Sequence, residues 1–168
     1  MKQFSFKSAV LLFVGALLFS AFVFKPATTN FSGKWKLNEG KSELGDFANF
    51  ATKLIEAQQY TDSMGISRTA ASFDGNEATT IERLTFDGKE SESTLFGESK
   101  KKSVASWSQD GTALTITYNI KMEFNGQSNE IKGTEVWTMA DEGKTLVVKN
   151  SASSSFGELE TKSVYEKQ

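Results

Sequence analysis

Leu114-Thr115-Ile116-Thr117-Tyr118-Asn119-Ile120-Lys121-Met122-Glu123-Phe124 alternates apolar and polar residues without a break. Leu114, Ile116, Tyr118, Ile120, Met122 and Phe124 fall on one face. Thr115, Thr117, Asn119, Lys121 and Glu123 fall on the other. Successive side chains of a strand point to opposite sides, so the run Thr112–Phe124 reads as one long strand, one face in a core and one in water. The same period recurs on both sides of it. Strands are expected near Gly33–Leu37, Lys53–Tyr60, Met64–Phe73, Ala78–Phe86, Lys89–Phe96, Lys100–Ser108, Ser128–Met139, Thr145–Ser154 and Glu158–Glu166. Turn signals punctuate them: Asp74-Gly75, Asp87-Gly88, Gly97, Asp110-Gly111, Asn125-Gly126, Gly143 and Gly157. Such residues supply the positive φ that tight hairpins need, and connections this short make sequential strands antiparallel neighbours. No crossover is long enough for parallel pairing. The fold expected is all-β: a single up-and-down antiparallel barrel of 8–10 strands over residues 31–168.

The chain has 168 residues, 38% hydrophobic and 24% charged, with net charge −2. That suits one domain with a sizeable core and gives no field to draw nucleic acid or an anionic membrane surface. It contains no histidine and no cysteine. The commonest metal ligands, thiol nucleophiles, disulfides and the Ser-His-Asp arrangement are therefore excluded together. No cofactor or metal is expected, although a carboxylate-only metal site stays open. At the N-terminus, Lys2 and Lys7 precede Ala9–Phe24, apolar apart from Ser20. The stretch is short for a membrane span and right for a signal h-region. Residues 1–27 read as a signal peptide, or as a membrane tether if left uncleaved. The mature protein is expected to be exported, to a bacterial periplasm or beyond.

The inner face continues from Leu114–Phe124 onto Ile131, Trp137 and Met139, and then onto Leu146, Val148 and Ala152. Other strands are polar, notably Lys89–Phe96 and the serine run Ser151–Ser155, and Leu159, Thr161, Ser163 and Tyr165 share a face. In a barrel, small polar walls leave the centre unfilled. In a sandwich, the same residues would be solvent-washed edges. Asn38–Thr52 breaks the strand pattern; Phe47 and Phe50, three apart, suggest a short helix face serving as a lid or a plain loop.

Phe31-Ser32-Gly33-Lys34-Trp35-Lys36-Leu37 resembles the opening of the calycin superfamily, the lipocalins and fatty-acid-binding proteins. Thr161-Lys162-Ser163-Val164-Tyr165-Glu166-Lys167 is similar to the last strand of the fatty-acid-binding proteins, and Asn38-Glu39-Gly40-Lys41-Ser42 looks like exported bacterial lipocalin-like proteins. The resemblance implies a barrel closed at one end by Gly33 and Trp35, and small apolar or amphipathic ligands inside. It departs at two points. The arginine that precedes the last-strand tyrosine by two is Ser163 here, and no arginine follows Arg83 to stack on Trp35.

Arg68 and Arg83, the two arginines, could each grip an anion if turned inward. Arg83 shares a face with Ile81 and Thr85, and Arg68 with Met64, Ile66 and Ala70, so both are candidates; an exposed residue, or an arginine paired with a structural glutamate, is the plainer alternative. Trp107 and Trp137 are large anchors that belong to a core or line a cavity. Glu135, in phase with Ile131 and Trp137, would need a cationic partner if buried, Arg83 or a lysine. Arg68, Arg83, Trp107, Tyr118, Glu135, Trp137 and Tyr165 are the candidate ligand-binding residues. Glu82, Glu123 and Glu135 show no spacing that marks a catalytic pair, and Lys100-Lys101-Lys102 reads as a solvated hairpin end. The function expected is non-enzymatic binding of a small, largely apolar molecule by a monomeric exported barrel. The alternative is a filled barrel that docks an envelope partner.

Overall fold

The computed structural model describes residues 27–72, 75–95, 99–124, 127–155 and 157–168. The N-terminal segment read as a signal peptide, the Gly97 and Asn125-Gly126 turns and the side chains of Glu123 and Phe124 lie outside the described residues. The chain forms ten strands: β1 Gly33–Leu37, β2 Thr52–Gln59, β3 Ser63–Ala71, β4 Glu77–Thr85, β5 Ser91–Thr94, β6 Lys100–Trp107, β7 Ala113–Phe124, β8 Gln127–Ala140, β9 Thr145–Ser154 and β10 Gly157–Lys167. They make one antiparallel sheet in the order β4-β3-β2-β1-β10-β9-β8-β7-β6-β5. Apart from β4 and β5, each strand pairs with its neighbour in sequence, and β1 joins β10 through Trp35 opposite Lys167 and Leu37 opposite Tyr165. The two edge strands, β4 and β5, lie against one another without a backbone ladder. The result is a nearly closed up-and-down barrel; the sandwich reading is set aside.

The inner face divides into two levels. At the closed end, Phe31, Trp35, Met64, Leu84, Leu114 and Trp137 are fully buried, with Ile55, Ile66, Ile116 and Leu146 packed among them. Phe31 stacks on Trp107 at 5.7 Å and meets Trp137 edge-on at 5.8 Å; Phe86 packs edge-on against Trp107. Trp35 plugs this end. Its Nε1–H donates to the Phe31 carbonyl at 2.9 Å, and the Lys167 ammonium sits 5.4 Å from its ring centre. The cation over the first-strand tryptophan is thus a lysine from the last strand. Gly33 takes φ +148°, a backbone conformation that L side chains rarely adopt, so glycine suits the position beside Trp35.

Further along the strands the inner face turns small and polar. Tyr118, Ile120 and Met122, expected in the core with Leu114 and Ile116, are only half-buried. The upper part of β7 passes the level at which the apolar filling stops. Between β1 and β2 run two 3₁₀ turns, Glu39–Lys41 and Gly45–Phe50, in place of a regular helix. Glu43 bridges to Lys162 of β10, and Leu44 is buried, which ties this connection across the barrel mouth.

Candidate functional site

At the boundary of the two levels four charged side chains meet. β3 brings Arg68, β4 Glu82, β6 Lys101 and β8 Glu135. Arg68 Nη2 donates to Glu135 Oε2 at 2.7 Å and lies 3.8 Å from Glu82 Oε2. Lys101 Nζ lies 3.0 Å from Glu82 Oε2 and 3.9 Å from Glu135 Oε1. Trp137 Nε1–H donates to Glu135 at 2.9 Å, Ser103 Oγ to Glu82 at 2.5 Å. Arg68 also stacks over Trp137, and Lys101 over Tyr118. Charged groups at this depth persist only when paired and hydrogen-bonded, and each of these four is.

The cluster also does structural work. Arg68–Glu135 spans the lumen from β3 to β8. Glu82 reaches Lys101 and Ser103 across the side where β4 and β5 have no ladder, so side chains close the seam that the backbone leaves open. Burial pushes the Glu135 carboxyl up, but the Arg68 guanidinium, the Lys101 ammonium and the bonds from Trp137 and Arg68 outweigh it and hold the carboxyl down at about 2. Arg68 is held above its usual range: burial opposes its charge, and Glu135 and Glu82 overcome that. Burial pushes both phenols up to about 12, Tyr118 helped by the Glu135 carboxylate and Tyr165 opposed by Arg68.

Above this floor lies a cavity of about 250 Å³. Arg68 and Glu135 form its base, Val148, Asn150, Ser163 and Tyr165 its wall. Leu159 and Thr161 continue the wall, and Leu44, Phe50, Ala51 and Thr52 of the β1–β2 connection form the rim. A bulge between Thr52 and Leu54 turns Thr52 toward the cavity. Tyr118 reaches across to donate to Asn150 Oδ1 at 2.8 Å. Gly133 makes this possible, because a Cβ there would collide with the Tyr118 ring. The Arg68 Nε–H is buried with no partner among the described residues. Larger depressions on the outer face of β6–β10 are open grooves over outward-facing Lys102, Lys132, Ser153 and Glu160. No group of carboxylates among the described residues converges as a metal site.

Of the candidate residues, Arg68, Glu135 and Tyr165 line the cavity. Tyr118 holds Asn150 from the side. Trp137 lies beneath, bonded to Glu135, and Trp107 belongs to the aromatic packing of the closed end. Arg83 is a correction: it is exposed on the outer face, with Ile81 beside it at 73% exposure. The phase of β4 is set by Glu82 and Leu84, which are buried. Lys101 is the second correction, since the middle residue of the lysine run is buried at 6% exposure while Lys100 and Lys102 are solvated. Its phase with Ser103, Ala105 and Trp107 was the signal that could have found it. The partner Glu135 requires is therefore Arg68 with a lysine, not Arg83.

These features define a ten-stranded, nearly closed up-and-down barrel, the fold expected from the strand pattern and from the motifs at the two ends of the chain. No family model and no curated protein matches the sequence. Among solved structures, the chain is similar to zebrafish ileal bile acid-binding protein crystallised with cholic acid, with TM-score 0.54 and 20% identity over 82% of this chain and 98% of that one. At that identity the likeness speaks to fold.

Proposed function

We propose that this protein is a non-enzymatic, monomeric carrier that takes one small amphipathic molecule into the cavity beneath the Gly45–Phe50 turn, in an exported form. The observation that carries the reading is the cavity itself: apolar surface from Leu44, Val148 and Leu159 beside the polar side chains of Asn150, Thr161 and Ser163 on a fixed ionic base. Ligand sites combine apolar area for affinity with a few placed polar groups for orientation. At about 250 Å³ the cavity falls just below the ~300 Å³ at which such sites usually begin, so a compact ligand is favoured. The structural neighbour was crystallised with cholic acid, itself amphipathic. Export is supported by Lys2, Lys7 and the apolar run Ala9–Phe24.

The test is native mass spectrometry of protein taken from its own host, with extraction of any bound molecule, beside titration with the neutral dye N-phenyl-1-naphthylamine. A co-purifying amphiphile that displaces the dye is expected, and Ser163→Trp, which fills the cavity from β10, should abolish both signals while the circular dichroism stays unchanged. Absence of any adduct and of any dye binding would favour instead a filled barrel that docks a partner. The mass of the exported form, lacking the first ~20–30 residues typical of a signal peptide, tests the export reading.

A further inference from the structure

We infer that the cavity selects a neutral oxygen-bearing head group, such as an alcohol, ester or amide, and excludes carboxylates; this rests on the ligand-binding reading above. The charged and titratable groups that line the site are Arg68 from β3, Glu135 from β8 and Tyr165 from β10, and Glu82 from β4, Lys101 from β6 and Tyr118 from β7 pack against that lining. Two are cations, two are carboxylates, and both phenols stay neutral in the ordinary pH range. The base of the cavity is already charge-balanced. A ligand carboxylate would place a third carboxylate around Arg68, whose nearest bond, at 2.7 Å, is taken by Glu135. A buried charge left without its own counter-charge is strongly disfavoured. Glu135, held down by Arg68 and Lys101, would not accept the proton that relieves the excess; the ligand would have to carry it.

What the site does offer is hydrogen bonding without net charge. Asn150 accepts from Tyr118 through Oδ1 and so keeps its amide N–H groups, and Ser163 and Thr161 contribute hydroxyls to the lining. A carbonyl or hydroxyl oxygen matches this set.

The experiment is calorimetric titration of the full mature protein with 1-decanol, decanamide and decanoic acid at pH 8 and at pH 5. At pH 8 the two neutral probes should bind at least about tenfold more tightly than decanoate. Their affinity should not change with pH. Decanoic acid should tighten by about tenfold for each unit that the pH falls toward its own pKa, near that of other carboxylic acids at ~4–5, because only the protonated form fits. Glu135→Gln leaves the base with one net positive charge and should reverse the preference at pH 8; Glu82→Gln does the same count if the first variant fails to fold. Decanoate binding as tightly as decanol at pH 8 to the unmodified protein overturns the inference and leaves the carrier reading standing. If none of the three probes binds, the carrier reading goes with it.

Discussion

The closed and open ends of this barrel are built from the same ten strands and packed by different rules. At the closed end, bulky residues from β1, β3, β4, β7 and β8 meet around Trp35 and Phe31, and the centre is solid. A few residues further along the same strands, Ala70, Tyr118, Asn150, Ala152, Thr161 and Ser163 take the corresponding inner positions, and a cavity of about 250 Å³ remains. Between them lies the layer of Arg68, Glu82, Lys101 and Glu135. The difference teaches that stability and binding capacity are separated along the barrel axis. The apolar end supplies the hydrophobic burial that a cysteine-free chain must rely on. The ionic layer then fixes the diameter above it, so that small side chains can line an opening without the walls collapsing inward.

The comparison breaks most directly at the plug. Trp35→Ala removes a fully buried indole together with its bond to Phe31. Large-to-small changes of this kind cost about 3–5 kcal/mol, and the closed end has no way to collapse into the space. The urea midpoint should fall accordingly. A cost below about 1 kcal/mol would mean that the closed end does not carry the stability assigned to it.

A smaller effect reports on the ionic layer. Glu135 is held at about 2 in the fold against 4.5 ordinarily. Its folded value is the lower, so its contribution, about 3 kcal/mol, is complete above pH ~4.5 and is lost as the pH falls through the interval toward ~2. The urea midpoint of the unmodified protein should drop over that window. Glu135→Gln should start from a lower midpoint and show a shallower acid slope; an acid slope identical to that of the unmodified protein would remove Glu135 from the acid-sensitive layer.

Strand alternation made most of this fold legible. Thr112–Phe124 alternates so strictly that its placement needed only period and length, and the glycine turns supplied the hairpins. Lys89–Phe96 shrank to Ser91–Thr94 because a polar edge strand with one partner has little to hold its ends. The site was less legible, for a physical reason. Its floor joins residues from β3, β4, β6 and β8, and their meeting is a property of closure around the lumen that no local pattern encodes. Local pattern also misleads where hydrophobicity and burial part company. Ile81 suggested that its face of β4 was inner, yet it stands 73% exposed, while Glu82, the charged neighbour, is buried because Arg68, Lys101 and Ser103 are there to receive it.

That phase assignment yields the smallest expected effect and the sharpest one. Arg83 shares the outer face with Ile81, and solvated surface substitutions away from caps, turns and networks usually stay within about 0.5 kcal/mol. Arg83→Ala should leave the urea midpoint within that margin and leave the affinity for N-phenyl-1-naphthylamine unchanged. Arg68→Ala, on the next strand and the opposite face, strips Glu135 of its nearest cation at 2.7 Å and should disturb both quantities. The two residues are the only arginines in the chain, so the pair tests side-chain direction with the chemistry held constant. If Arg83→Ala costs more than about 1 kcal/mol while Arg68→Ala is silent, β4 and β3 face the other way. The ionic floor would then have to be rebuilt around Arg83, since a shift of one residue along a strand carries every side chain to the opposite face.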